Sequence, residues 1–226
     1  MRRLVFLIFA LANMSAFATT YSYSGNPYTV FTNHEIGTVA DYTPSMRVSG
    51  WFSTAAPLVN FGPANAAGLV TAYEFSDGIN TIRSSDPNAR MSSFQVITDG
   101  SGSITDVLIT VEVWASGSFP HTIGNRYNRI VLMTSAGDSG QNLFVCGTVG
   151  TSSDTSVADV CLLTFPQSPR NHSAAISSVP GTWAILNNSG VAASAIPTLS
   201  EAGIVALVAM LSFLGMSRLT RRKASH

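Results

Sequence analysis

FQVITDGSGSITDVLITVEVW, residues 94–114, is the stretch whose reading decides the fold. Phe94 to Thr98 and Ile104 to Trp114 are two runs rich in β-branched and aromatic residues. Between them stands Asp99-Gly100-Ser101-Gly102-Ser103. Alternation with a period of two on either side of a short Gly-containing loop predicts an antiparallel hairpin. In the longer run Val107, Ile109, Val111 and Val113 share one face. Asp106, Leu108, Thr110, Glu112 and Trp114 share the other.

The same period recurs outward from this hairpin. Met46 to Phe52 sets Met46, Val48 and Phe52 against Arg47, Ser49 and Trp51. Leu69 to Phe75 sets Leu69, Thr71, Tyr73 and Phe75 against Val70, Ala72 and Glu74, with Asp77-Gly78 as the next turn. Arg129 to Thr134, Leu143 to Cys146 and Thr182 to Leu186 complete the predicted strands. Ser, Thr, Gly, Val and aromatics dominate this part of the chain, a bias that disfavours helix and suits strands joined by turns. No repeat of solenoid or propeller period occurs. The expectation is an all-β ectodomain over residues 19–190, an antiparallel β-sandwich or jelly-roll-like fold.

Charge narrows the function classes. Between residues 19 and 196 six arginines and no lysine face eleven acidic residues, a net charge of −5, although the whole chain balances at 12 and 12. A mildly acidic body argues against nucleic acid, which calls for clustered cations. Cys146 and Cys161 are the only cysteines. An even pair in an exported chain reads as a disulfide, Cys146–Cys161, closing a Ser/Thr/Gly-rich and floppy connection. Two free core cysteines remain the alternative, because spacing alone does not bring the Cα atoms within bridging distance.

Both ends of the chain carry addresses. Arg2 and Arg3, the apolar run Leu4 to Leu11 and Ala16-Phe17-Ala18 form a secretory signal peptide over residues 1–18, cleaved between Ala18 and Thr19. Such a segment implies the Sec export machinery. At the other end, Ala202 to Ser217 is free of charge and is followed by Arg218, Arg221, Arg222 and Lys223. An apolar run capped by cations is a stop-transfer pattern with its basic end in the cytoplasm. It predicts a single transmembrane helix over about 202–219 and a basic end over 218–226. The run is short for a span, but local bilayer thinning and snorkelling of Arg218 compensate. Residues 191–195 read as a small-residue linker.

Before the apolar run stand Ile196, Pro197, Thr198, Leu199, Ser200, Glu201, Ala202 and Gly203. Motif, hydrophobic helix and arginine-rich end in this order resemble the IPTL-CTERM sorting domain, a variant of the PEP-CTERM tails of exported proteins in Gram-negative bacteria. Where that family usually has Trp before the glycine, this chain has Ala202. The resemblance implies that residues 196–226 are a sorting tail handled by an exosortase, an integral-membrane cysteine protease or transpeptidase. It also implies an ectodomain outside the cytoplasm, first anchored at the inner membrane and then at the cell surface or released. Pro197 fixes its own φ and biases Ile196 to an extended conformation, a form that a processing enzyme can grip. More weakly, the region from Tyr42 to Trp183 is similar to β-rich ectodomains that commonly carry such tails. That likeness implies a fold class and a location, and no activity.

Several local motifs tempt a catalytic reading. Gly137-Asp138-Ser139-Gly140 copies the nucleophile signature of chymotrypsin-like proteases, whose chemistry also needs a His base and an orienting carboxylate. His34 and His121 are the only upstream histidines, neither in a suitable context, and a Gly/Asp/Ser turn between Met133 and Leu143 explains the same letters. His34-Glu35 lacks the second histidine of a zinc helix. Asp99, Ser101, Ser103 and Asp106 lack the acidic density of a calcium loop. Asn171-His172-Ser173 and Asn187-Asn188-Ser189 are sequons, relevant only where the glycosylation machinery exists. The expectation is therefore no enzyme, no metal and no cofactor. A serine hydrolase using Ser139 is the remote alternative. The nearer alternative is a carbohydrate-binding module, with Trp51, Trp114 and Trp183 as a stacking platform and extracellular polysaccharide as the partner.

Overall fold

The computed structural model of the protein describes residues 18–33, 41–165 and 173–186, all within one compact unit. The strands are β1 (Thr19–Ser24), β2 (Val30–Asn33), β3 (Ser49–Thr54), β4 (Ala64–Asn65), β5 (Val70–Ser76), β6 (Thr81–Arg83) and β7 (Ala89–Thr98). They continue as β8 (Ile104–Trp114), β9 (Arg126–Met133), β10 (Gly137–Gly150), β11 (Val160–Thr164), β12 (Ser173–Ser177) and β13 (Thr182–Leu186). A smaller sheet has the order β13-β1-β3-β5-β6. A larger one runs β2-β12-β10-β9-β8-β7-β4, with β11 added to β10. Every pairing is antiparallel.

The hairpin predicted over residues 94–114 forms. Phe94 pairs with Ile109 and Val96 with Val107, and Asp99 closes the loop by accepting bonds from the Ser101 and Ser103 N–H groups at 2.8 and 2.9 Å. Of the residues weighed as calcium ligands, Asp99, Ser101 and Ser103 bond one another in this turn, and Asp106 lies in β8 opposite Ile97. Thr182–Leu186 is a strand with the predicted bounds, and β3 keeps the expected faces, with Phe52 buried and Trp51 half-buried. The alternation in β1, where Tyr21 and Tyr23 point inward, escaped the sequence reading. Leu69 departs from its expected face: it ends a short 3₁₀ turn, Ala67–Leu69, and is exposed.

The two sheets face each other across one core, which makes the fold sandwich-like. Tyr21, Phe52, Phe75 and Ile82 from the smaller sheet meet Phe94, Ile109, Ile130 and Leu132 from the larger. Phe52 stacks on Tyr21 at 4.8 Å and meets Phe94 edge-on at 5.1 Å across the layers. Each such ring removes a large apolar area from water, worth about 1.5–3 kcal/mol. The far face of the larger sheet holds a second, smaller core of Trp114, Tyr127, Phe144, Cys146 and Cys161. For this reason Glu112 and Trp114, placed by period on the face opposite Val111 and Val113, are buried at 0 and 4 % exposure. The strand is apolar on one side in sequence and covered on both sides in the fold.

Candidate functional site

The sorting residues Ile196 to Gly203, the basic cluster Arg218 to Lys223 and the apolar run between them lie outside the described residues, as do His34, Glu35 and residues 1–17. Among the described residues no helix is long and apolar enough to cross a membrane. Ala18 is exposed and Thr19 opens β1, so the predicted cleavage bond directly precedes the first strand.

Gly137-Asp138-Ser139-Gly140 forms the first four residues of β10 and not the expected turn. The turn is Thr134 to Ala136. The two glycines and the acid have packing roles. Gly137 has φ +84°, and a Cβ there would sit 1.8 Å from the Ser177 carbonyl oxygen. Ser139 pairs with Val131 and Ile176 and alternates outward, while Asp138 and Gly140 face in. Gly140 leaves room for its neighbours, since a Cβ would lie 2.7 Å from Tyr42 Oη and 2.9 Å from Asp77 Cβ.

These inward positions open onto a polar seam at one end of the sandwich. The Tyr23 hydroxyl donates to both Asp138 carboxylate oxygens at 2.8 and 2.7 Å and accepts from Gly181 N–H at 2.6 Å. One phenol therefore links β1, β10 and the turn into β13. The Tyr42 hydroxyl donates to Asp77 Oδ2 at 2.6 Å, while Asp77 Oδ1 accepts from the Ile79 and Asn80 N–H groups at 2.9 and 2.6 Å. Tyr28 packs edge-on against Tyr42 at 5.4 Å, and its buried hydroxyl has no hydrogen-bond partner among the described residues. Burial disfavours the charged carboxylate, so Asp138 is pushed up to about 6 despite the Tyr23 bond, and Asp77 is raised as well. No arginine or histidine forms an ion pair with either carboxyl among the described residues.

The second assembly surrounds the cysteines. Cys146 and Cys161 are joined in a disulfide with Cα atoms 5.7 Å apart, within bridging range. The connection it closes is not floppy. It continues β10 to Gly150, turns, and is fixed on β7. Asp154 accepts from Ser93 Oγ, Phe94 N–H and Gln95 Nε2 at 2.6, 3.1 and 3.1 Å, and Thr155 Oγ1 donates to the Met91 carbonyl at 2.6 Å. Short polar side chains, read in sequence as flexibility, here act as anchors to a neighbouring strand.

Beneath this cover lie paired charges. Arg129 reaches Glu112 Oε2 at 2.9 Å and also donates to the Cys161 carbonyl. The Cys161 N–H donates to Glu112 Oε1 at 2.5 Å. Burial raises Glu112, and Arg129 opposes that rise without cancelling it. Asp159 bonds His121 Nδ1 and Arg90 at 2.8 Å each and accepts from the His121 N–H at 2.8 Å. Burial opposes its ionisation, yet these bonds outweigh it and hold the carboxyl below its ordinary range. His121 stacks on Trp114 at 4.4 Å with the rings 5° from parallel. Its ring is thus committed to Asp159 and Trp114, four strand positions from Ser139: Trp114 pairs with Tyr127, and Ser139 with Val131.

The three tryptophans do not form a platform. Trp114 is buried in the second core. Trp183 packs on Tyr23 and Phe52 toward the main core, at 4.7 and 5.6 Å, and Trp51 alternates to the other face of β3. Among the described residues no group of three or more His, Cys, Asp or Glu could hold a metal ion.

The comparison with known families adds one finding. Residues 194–222 match the family model of the IPTL-CTERM motif. That match marks a PEP-CTERM-like sorting signal, which implies export to the cell envelope and processing by an exosortase-type system. No curated protein and no solved structure matches the chain.

Proposed function

We propose that the chain is a non-enzymatic cell-surface or extracellular-matrix protein, whose ectodomain is exported behind a cleaved signal peptide and delivered by its C-terminal tail. The match of residues 194–222 to the IPTL-CTERM motif carries this reading. Two further observations support it. The disulfide suits an oxidising compartment. The predicted cleavage bond after Ala18 abuts β1, so removal of residues 1–18 spares the whole strand. For the absence of catalysis, the support is that Gly137 to Gly140 is accounted for by packing, and that His121 is engaged elsewhere. The transmembrane helix over about 202–219 holds the protein at the inner membrane until the exosortase acts near Ile196 to Gly203.

The test is the mass of the mature protein from cells with and without the cognate exosortase. Loss of residues after about Ile196 only when the enzyme is present is the expected result. An intact tail in both strains would leave a plain single-pass membrane protein.

A further inference from the structure

A cleft of about 270 Å³ opens where the turn into β13 faces the start of β8 and the end of β9. Tyr23 and Trp183 line it from the smaller sheet, and Ile104, Thr105, Val107 and Thr134 from β8 and the turn after β9. Its size lies just below the range that holds drug-sized molecules, which suits a ligand of one ring.

The chemistry of the lining selects among such ligands. No lining residue carries a charge, so an ionic ligand would lose its water without gaining a partner. A hydrocarbon would strand the hydroxyls. Thr134 Oγ1 accepts from the Val107 N–H at 3.0 Å and keeps its own proton to donate. Thr105 Oγ1 donates to the Ile97 carbonyl at 3.3 Å and keeps lone pairs to accept. Tyr23 adds only its ring, because its hydroxyl is engaged with Asp138 and Gly181. The Trp183 indole is braced by Tyr23 and Phe52 and stays half-buried, so a ligand meets a surface already fixed in place. The partner that satisfies all of this is uncharged, offers adjacent hydroxyls that both donate and accept, and has an apolar face of C–H groups.

We propose that this cleft binds one neutral sugar ring of a glycan, with its C–H face on Trp183 and its hydroxyls on Thr105 and Thr134. The site uses a single tryptophan and does not need the three-ring platform that the fold fails to build. It is also independent of how the tail is processed.

The experiment is a titration of the full-length ¹⁵N-labelled chain with neutral monosaccharides and their short oligomers, following the three indole N–H signals. The Trp183 signal should move saturably with a Kd on the order of 1–10 mM, while those of Trp51 and Trp114 stay in place. A uronic acid of the same ring size should bind more weakly. Thr105→Val, at an exposed position, should weaken binding roughly two- to tenfold, the worth of one hydrogen bond. Thr105→Trp should fill the cleft and abolish the shift, with an unmoved Trp114 signal reporting an intact fold. Four outcomes would overturn the proposal: no response to any neutral sugar, an equal shift of all three indoles, a Trp183 shift that survives Thr105→Trp, or a response to an apolar peptide alone.

Discussion

The disulfide-covered core and the tyrosine seam both bury carboxyl groups, and they do so by opposite means. Around the disulfide, Glu112 faces Arg129, and Asp159 faces Arg90 and His121. In the seam, Asp138 and Asp77 receive phenol hydroxyls and, for Asp77, backbone N–H groups, with no cation among the described residues. A buried charge needs a counter-charge or dense hydrogen bonding, and a carboxyl that lacks both retains its proton more readily. One end of the molecule is therefore built on ion pairs, and the other on a carboxyl that titrates near pH 6.

The largest effect should come from breaking the paired side. Arg129→Met leaves Glu112 buried without its partner and should cost about 3–5 kcal/mol in urea unfolding. A loss below about 1 kcal/mol would mean that the Cys161 N–H alone satisfies Glu112. Replacing Cys146 and Cys161 together by Ser should cost about 3 kcal/mol in the chain-entropy model, for a sequence separation of 15. An unchanged midpoint would show that the anchors to β7 already fix the connection.

The sharpest contrast is with pH. Asp138 has a folded value of about 6, above its ordinary 3.8, so the native state binds the extra proton between those values. Its contribution is fully present below about pH 4 and is lost as pH rises through 6. The fall is about 2–3 kcal/mol by pH 7. Asp159, held low, works the other way, and its contribution disappears as pH falls through its depressed folded value. Asp138→Asn should make the fall in stability between pH 4 and 7 shallower, leaving the share due to Asp77 and Glu112, while the acid limb stays untouched. If the wild-type curve is already flat there, the seam is not protonated as described. The smallest effect is Tyr28→Phe. It removes a buried hydroxyl without a partner and should be neutral, or stabilising by up to about 1 kcal/mol, by thermal unfolding.

Legibility differed between these two regions for a physical reason. Period-two alternation found the 94–114 hairpin, β3 and β5, because a strand records in its own residues which face is apolar. The second core was hidden: Glu112 and Trp114 alternate on the face away from the main core, and the return of residues 151–164 over that face buries them. The seam was hidden in the same way. Tyr23, Asp77 and Asp138 are far apart in the chain, and Gly137-Asp138-Ser139-Gly140 looked like a turn when it is a strand fitted to Tyr42 and Ser177. A sequence clue did exist, in two glycines and an acid on one strand, but nothing local says what approaches them.

By itself, the sequence determined the all-β class, the pair of cysteines free to bridge, and the sorting tail matched at residues 194–222. Each depends on local pattern, on composition, or on a linear motif. Tertiary structure alone decided which carboxyls are paired, which tryptophan lines a cleft, and what Gly140 makes room for. Those properties depend on distances between residues brought together from separate strands, and period-two alternation carries no information about which strands will meet.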